Sequence, residues 1–174
     1  MYLISLYFDD NTNKVIQNYI NKVAEKTGNT FMLDGNVPPH ITISAFETKR
    51  EDACITVLSD VVEQIECGKL QWVSLGEFLP YVIYISPVLN EYLHELIVKI
   101  YGNVKKVPET KMSPYYRPFS WLPHTTIGKK LSKEEMQVAF EVMQKQFQVF
   151  EGTVTKIGLA KTNPYQEINT WKLK

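Results

Sequence analysis

The sequence contains the stretch Pro39-His40-Ile41-Thr42-Ile43, and a near copy, Pro123-His124-Thr125-Thr126-Ile127, follows 84 residues later. Another match occurs at the same offset. Thr48-Lys-Arg-Glu51 falls on Ser132-Lys-Glu-Glu135, and each of these has the pattern of a capping box that begins a helix. Since the matches stay in register without a gap, they predict a single domain, residues 1–174, that is built as an internal repeat.

The spacing of apolar residues predicts the helices and strands of this repeat. Alternating apolar residues indicate strands, and apolar residues three or four positions apart indicate helices. The predicted helices are 12–27, 49–66, 88–102 and 132–149, and the predicted strands are 2–8, 40–46, 70–79, 81–86, 124–130, 152–161 and 166–173. The fold class that follows is α+β. It consists of two lobes related by a pseudo-twofold axis, each with a mostly antiparallel sheet and flanking helices, with a groove between them.

The charges of the chain balance, with 19 basic and 19 acidic side chains. No overall field would therefore attract the protein to nucleic acid or to an anionic membrane, and an anionic ligand requires a local site. The N-terminal residues have the pattern of neither a signal peptide nor a membrane-spanning segment. The two cysteines lack the spacing of a metal or redox motif, which is typical of a reduced compartment and predicts a cytoplasmic location.

The repeated stretches carry two of the three histidines of the chain. In a strand, His40 and Thr42 share one face, and His124 and Thr126 share the matching face of the second copy. A pseudo-twofold axis would bring these faces together across the groove. A neutral imidazole can accept a proton there and a protonated one can donate, because the usual pKa of histidine, about 6.5, makes both forms available. Threonine hydroxyls can donate to phosphate oxygens, so the pattern predicts a phosphoesterase site.

These paired stretches resemble the His-x-Thr-hydrophobic motifs of the two-histidine (2H) phosphoesterase superfamily, which includes 2′-5′ RNA ligase-like proteins and 2′,3′-cyclic nucleotide phosphodiesterases. The resemblance extends over essentially the whole chain in the order of strands, helices and lobes. It implies catalysis without a metal or other cofactor, on cyclic 2′,3′- or 2′-5′-linked phosphoesters of nucleotides or RNA ends. The balanced charges predict no membrane association, and nothing in the sequence indicates an obligate protein partner. The catalytic residues that the resemblance implies are His40, Thr42, His124 and Thr126, with a weak preference for His124 as base and His40 as acid.

The sequence departs from the family at one position. Many members carry an arginine five residues after the second histidine, where this chain has Lys129. Lysine keeps the charge but loses the two parallel hydrogen bonds that a guanidinium group makes to phosphate. Strict alternation turns Lys129 away from the face of His124 and turns Lys130 towards it. Both lysines are therefore candidates for substrate binding.

The segment Ser113-Pro-Tyr-Tyr-Arg-Pro-Phe-Ser-Trp121 places four aromatic residues and a cation just before His124. One interpretation is a flap in which Tyr115 stacks on a base and Arg117 reaches the phosphate. The other is a proline-rich connection that its own aromatic residues hold in place.

Two other functions are compatible with the same residues. An RNA end-ligase would use the same groove, and a non-catalytic module would bind RNA ends or a nucleotide without consuming them. A zinc site is disfavoured, because two histidines and two threonines lack the carboxylate or thiolate that such a site normally adds.

Overall fold

The computed structural model describes residues 1–174 and has the α+β architecture that the sequence predicts. Its helices are α1 (Asp10–Thr27), α2 (Phe31–Asp34), α3 (Glu51–Val62), α4 (Glu91–Val104) and α5 (Lys133–Gln146). Its strands are β1 (Tyr2–Phe8), β2 (Ile41–Glu47), β3 (Gly68–Phe78), β4 (Val82–Pro87), β5 (Lys111–Met112), β6 (Thr125–Lys129), β7 (Phe150–Lys161) and β8 (Gln166–Lys172). None of the helices is both long enough and apolar enough to span a lipid bilayer.

All the strands belong to one antiparallel sheet, in which the order β5-β2-β1-β7-β3-β4-β6 is continuous and β8 adds to β7. The long strand β7 connects the two lobes. Its C-terminal part pairs with β1 and β8, and its N-terminal part pairs with β3. The sheet curves so strongly that β2 and β6, which lie near its opposite ends, have Cα atoms within 8 Å of each other. The concave side of this sheet lines the groove between the lobes.

The two halves of the chain pair their strands in the same way. β1 pairs with β2 and β7, whereas β4 pairs with β6 and β3, all antiparallel. Each motif strand has a β-bulge at the same place, where the extra residue is Ile43 in β2 and Ile127 in β6. A bulge bends its strand and shifts the alternation of the side chains beyond it by one residue. The repeat in the sequence is therefore also present in the hydrogen bonding of the sheet.

The helices cover the convex side of the sheet, and each lobe receives one long helix from each half of the chain. α1 packs on α5 and contacts β6, whereas α4 packs on α3 and contacts β2. The predicted apolar faces explain this burial. β1 buries its alternate residues Ile4, Leu6 and Phe8, and α1 buries Ile16 and Ile20. Removing these apolar surfaces from water stabilises the fold, and one core of 35 buried residues extends through both lobes.

Only one of the two predicted capping boxes is present. At the start of α5, the Ser132 hydroxyl accepts from the backbone N–H of Glu135 at 3.1 Å, and the Glu135 carboxylate accepts from the backbone N–H of Ser132. The prediction for α3 is wrong, since this helix begins after Arg50 without a side-chain cap. Glu51 is the first residue of the helix and not its third, as a capping box with Thr48 would require, and its carboxylate forms an ion pair with Lys161 at 2.6 Å.

Two helices also end earlier than predicted. α3 ends at Val62, because the next residues turn towards the C-terminus, where the backbone groups of Ile65 and Cys67 bond to those of Lys174. α5 ends at Gln146, because the chain from Phe150 onwards pairs with β3. Apolar periodicity did not reveal either competing partner. Residues 28–39 and 103–123, for which no helix or strand is predicted, contain the short α2 and β5, respectively.

Candidate active site

His40 and His124 immediately precede β2 and β6, and a carbonyl group holds each ring in the same way. The Nδ1 atom of His40 lies 2.8 Å from the carbonyl oxygen of Pro38, and that of His124 lies 2.9 Å from the carbonyl oxygen of Leu122. A proline directly precedes each histidine, which restricts the backbone of this turn. Since a carbonyl oxygen only accepts, Nδ1 carries the hydrogen in both rings. Nε2 is then the nitrogen that remains free to exchange a proton.

The two motif strands approach each other where the curved sheet nearly closes. β2 and β6 are not hydrogen-bonded to each other, yet their Cα atoms come within 8 Å. The indole Nε1 of Trp121, three residues before His124, donates to the carbonyl oxygen of Thr42 at 3.1 Å. The charge of His124 also acts on the pKa of His40. Both predicted histidines therefore lie beside the same groove.

Thr42 and Thr126 face the groove, whereas the residue between His124 and Thr126 faces the core. Thr42 lies opposite Ser5 in β1, with 3.4 Å between the two hydroxyl oxygens. Thr126 is half-buried, and its hydroxyl has no hydrogen-bond partner within the protein. Thr125 is fully buried, and its hydroxyl accepts from the indole of Trp72 at 3.2 Å. The threonine two residues after each histidine is thus the one on the groove face.

Burial lowers the pKa of both histidines below the usual 6.5. The carbonyl that each ring contacts opposes this, since it stabilises the charged form. For His40, the charges of His124 and Lys129 lower the pKa further. The surroundings that the protein itself provides therefore favour two neutral imidazoles at pH 7. A bound anion would raise both pKa values, because opposite charges stabilise each other.

Aromatic rings surround the two imidazoles. The ring of Tyr7 lies 6.2 Å from that of His40, and Phe78 packs edge-on against His124 at 4.8 Å between centroids. A pocket of about 380 Å³ opens beside His124. Its other lining residues are Phe78, Tyr115, Tyr116, Ser120, Trp121 and Leu122. A largely apolar pocket next to titratable groups with shifted pKa values is typical of a ligand-binding site.

The bulge in β6 determines which of the two candidate lysines lies on the groove face. In β4, the residue opposite Thr126 and the residue opposite Lys129 are two positions apart, so both lie on the same face of the sheet. Thr126 and Lys129 therefore lie on that face as well. Strict alternation ignores the extra residue Ile127, and it therefore wrongly turns Lys129 away from the groove face. Lys130 lies elsewhere, with its Nζ 4.5 Å from the ring centre of Phe31.

The segment 111–121 crosses from β2 to β6 and carries the predicted flap residues. Tyr115 is 79% exposed and lines the pocket. Tyr116 is half-buried and also lines the pocket, and burial raises the pKa of its hydroxyl. Arg117 is exposed and takes no part in the ion pairs of the chain. The segment therefore combines a side chain that reaches the groove, Tyr116, with a free cation at its surface.

The groove presents proton-exchanging and hydrogen-bonding groups. Two imidazoles, the hydroxyls of two threonines and of Ser5, and the ammonium group of Lys129 share its surface. Nowhere in the chain do three side chains of His, Cys, Asp or Glu lie together as metal ligands would. The groups that are present can exchange protons at two positions and donate to the oxygens of an anion between them.

Sequence reasoning missed the aromatic residues that other strands place against the imidazoles, namely Tyr7, Phe78 and Tyr84. A signal for Tyr7 was present, because alternation along β1 sets Ser5 and Tyr7 on the face opposite the buried aliphatic residues. Phe78 gave no such signal. Its contact with His124 depends on the curvature of the sheet, which the apolar pattern does not specify.

A family model described as the 2′-5′ RNA ligase superfamily matches residues 14–166, a range that includes both histidine motifs. The chain belongs to this superfamily. The resemblance that the repeated motifs indicated is therefore confirmed at the level of the family. Among curated proteins, none matches the chain in sequence.

Solved structures share the fold of this superfamily member. Escherichia coli LigT complexed with 3′-AMP has a TM-score of 0.61 at 14% identity, with 99% of this chain and 97% of that chain covered. TT0787 of Thermus thermophilus has a TM-score of 0.60 at 11% identity, with the same coverage of both chains. A protein described as a phosphoesterase has a TM-score of 0.56 at 12% identity, again covering 99% and 97%. At these identities, the likeness concerns the fold.

Proposed function

We propose that this member of the superfamily hydrolyses or transesterifies cyclic 2′,3′- or 2′-5′-linked phosphoesters of nucleotides or RNA ends. His40 and His124 act as general acid and base. One imidazole takes a proton from the attacking water or hydroxyl, and the other gives a proton to the leaving oxygen. Thr42 and Thr126 donate to the non-bridging oxygens, where negative charge increases in the transition state. The reaction needs no metal ion.

The observation that carries this proposal is the matched placement of the two imidazoles. Each ring is held through Nδ1 by the carbonyl two residues earlier. Each Nε2 is therefore free, and both rings stand beside one groove with a threonine hydroxyl two residues away. Fixing the tautomer and orientation in advance removes much of the entropic cost of aligning an acid, a base and a phosphate. A structural histidine would not require this arrangement twice.

The electrostatics of the groove support a role for the substrate in its own activation. Burial favours the neutral form of both imidazoles before a ligand binds. An anionic phosphate between them raises both pKa values, so that one ring takes up a proton as the substrate binds. The acid is then present in the complex, and Lys129 contributes a positive charge on the same face.

The pocket beside His124 supports a nucleotide as the ligand. Its lining rings offer flat surfaces on which a base can stack, which favours binding without a strong preference for one base. LigT, which shares the fold, has been crystallised with 3′-AMP, ATP and NADP⁺. The same class of ligand is proposed here.

The test is to incubate the protein with 2′,3′-cyclic nucleotides and with a 2′-5′-linked dinucleotide in the presence of EDTA. We expect turnover of at least one substrate class, at a rate that added Mg²⁺ or Mn²⁺ changes little. Loss of turnover on chelation that one divalent ion restores would refute the metal-free mechanism. Binding of these ligands without their consumption would show that the protein is a nucleotide-binding module and not an enzyme.

Ligation is a second candidate, which the description of the matching superfamily favours. It is the reverse reaction in the same groove. The 5′-hydroxyl of one RNA attacks the 2′,3′-cyclic phosphate of another, the bond to the 3′ oxygen breaks, and that oxygen takes the proton that the 5′-hydroxyl loses. Two RNAs with these ends, resolved on a denaturing gel, would give a longer product with a 2′-5′ linkage. If only the opened phosphate forms, hydrolysis is the reaction.

A further inference from the structure

A row of side chains extends from His40 across the first lobe, away from the pocket beside His124. Tyr7 contacts the His40 ring and lies opposite Lys156 in β7, which lies opposite Lys172 in β8. Residues directly opposite each other in antiparallel strands project from the same face. Since neighbouring strands are about 4.8 Å apart, the row from His40 to Lys172 spans roughly 14 Å of the concave surface.

The middle of this row is built around Tyr7. A Cβ atom at Gly158 would lie 2.5 Å from the Tyr7 ring, so the glycine allows the ring to lie flat on β7. The hydroxyl of Tyr7 lies 3.4 Å from that of Tyr165, which belongs to the turn between β7 and β8. Tyr165 is 40% exposed. Tyr165 thus offers an exposed ring next to Tyr7, and a base can stack on such a ring.

The two lysines at the end of the row carry uncompensated charge. Lys156 and Lys172 are exposed, stand directly opposite each other and form no ion pair. Like charges in this position are destabilising. The one carboxylate whose charge reaches Tyr7 is that of Glu167, which lies at the opposite end of β8 from Lys172. No ion pair within the protein neutralises either lysine at this end of the row.

We infer that this row is a subsite for a single-stranded RNA chain that continues from the reacting phosphate. The inference deepens the proposed function and rests on it. The terminal base occupies the pocket beside His124, and the cyclic phosphate lies between the histidines. The preceding nucleotide stacks on Tyr165 above Tyr7, and the backbone phosphates next along the chain meet Lys156 and Lys172. Oligonucleotides are then better substrates than mononucleotides, although the whole chain carries no net positive charge.

The test compares adenosine 2′,3′-cyclic phosphate with an adenosine tetranucleotide that ends in the same cyclic phosphate. In the double variant Lys156→Glu, Lys172→Glu, KM for the tetranucleotide rises about 10-fold or more, with kcat retained, since charge-assisted contacts to phosphate are lost. The mononucleotide does not reach the lysines, so its KM changes far less. The slope of log KM against log salt for the tetranucleotide falls by about 1.4, or about 0.7 for each lost phosphate contact on a single strand.

A matched control and a second variant separate the subsite from general charge effects. Lys105→Glu, Lys106→Glu makes the same change of net charge at exposed residues that follow α4, and it leaves the KM of both substrates within about 2-fold if the subsite is specific. Tyr165→Ala raises the tetranucleotide KM about 5-fold or more, because one stacked base is lost. Equal effects on both substrates, or none on the tetranucleotide, would overturn the inference and leave Lys172 as a residue that guards an exposed strand edge.

Fluorescence anisotropy distinguishes failure of the subsite from failure of the proposed function. The probe is a 5′-labelled tetranucleotide with a 3′-phosphate. Weaker binding by both the lysine and the tyrosine variants, compared with the control, supports the subsite. Unchanged binding overturns it. If the wild type turns over neither cyclic substrate, the proposed phosphoesterase activity fails, and the binding data still decide the subsite.

Discussion

The two halves of the chain hold the same motif in the same geometry but surround it with different charges. Each has a histidine bonded to the carbonyl two residues earlier, a threonine on the groove face and a bulge one residue later. After the bulge, the first half places Ala45 on the groove face, and the second half places Lys129 there. Burial is the main cause that lowers the pKa of both histidines, and the positive charge of Lys129 lowers that of His40 further.

This difference teaches how a symmetric fold can support two unequal roles. An acid and a base of the same residue type must differ in pKa or in their contacts with the substrate if each is to keep one role. The repeat supplies two equivalent imidazoles, and residues outside the repeated pattern make them unequal. The charge of Lys129 disfavours protonation of His40 and so favours His124 as the ring that is protonated more easily. The family resemblance implies the opposite assignment, with His40 as the acid.

The largest expected effect tests whether the two halves act as one unit. His40→Ala and His124→Ala should each slow the chemical step by about 10²–10⁴-fold, the usual contribution of one positioned acid or base. The double variant should lose less than the product of the two, because groups that act in one step are not additive. Single-turnover rates on a 2′,3′-cyclic substrate measure this. His94→Ala, at the third histidine, is the control. Near-full activity of either motif variant would show that the two histidines do not act as one unit.

A smaller effect should come from a residue that has no counterpart in the first half. Arg117→Ala removes a cation that has no ion-pair partner in the protein, in the segment that leads to His124. If the guanidinium group binds the substrate phosphate, affinity falls by about 1.5–3 kcal/mol, the range for hydrogen bonds to charged groups. Isothermal titration with a 3′-phosphorylated nucleotide measures the dissociation constant, and thermal unfolding checks that the fold is retained. An unchanged dissociation constant would mean that Arg117 has only a structural role in the proline-rich segment before His124.

The equivalence of the two halves could be predicted from the repeat, whereas the difference between their charges could not. The offset between His40 and His124 predicts two motif strands in equivalent places, and the fold has them. The position of Lys129 could not be derived, because it depends on the bulge at Ile127, and no residue type marks a bulge reliably. The capping pattern at Thr48 predicts a helix start, and α3 does begin nearby, but without the capping box, since Glu51 pairs with the distant Lys161 instead. Local patterns thus predict the elements, whereas contacts between distant residues determine how they end and where they face.

The pH dependence of catalysis can decide which half supplies the acid. Lys129→Met removes a charge that lowers the pKa of His40, so this pKa rises, and the change is small because the lysine is exposed and screened. If His40 is the base, it must be neutral, and the acidic limb of kcat/KM moves to higher pH. If His40 is the acid, it must be protonated, and the basic limb moves to higher pH instead. Lys130→Met, whose ammonium group lies over Phe31, is the matched control. If neither limb moves, the charge asymmetry of the groove has no catalytic consequence.

The smallest expected effect concerns the two helix starts that the repeat makes equivalent in sequence but not in structure. Ser132→Ala removes a hydroxyl that accepts from the backbone N–H of Glu135, and loss of such a cap costs about 1 kcal/mol of folding free energy. Thr48→Ala should cost less, because Thr48 lies outside α3 and caps none of its backbone N–H groups, although its hydroxyl accepts from the backbone of Arg50 and from the hydroxyl of Thr110. Urea unfolding at pH 7 measures both, with the m-value as a check that the unfolded state is unchanged. Equal losses would mean that the turn at Thr48 supports α3 as well as a capping box would. The two helix starts would then be equivalent in energy despite their different hydrogen bonds.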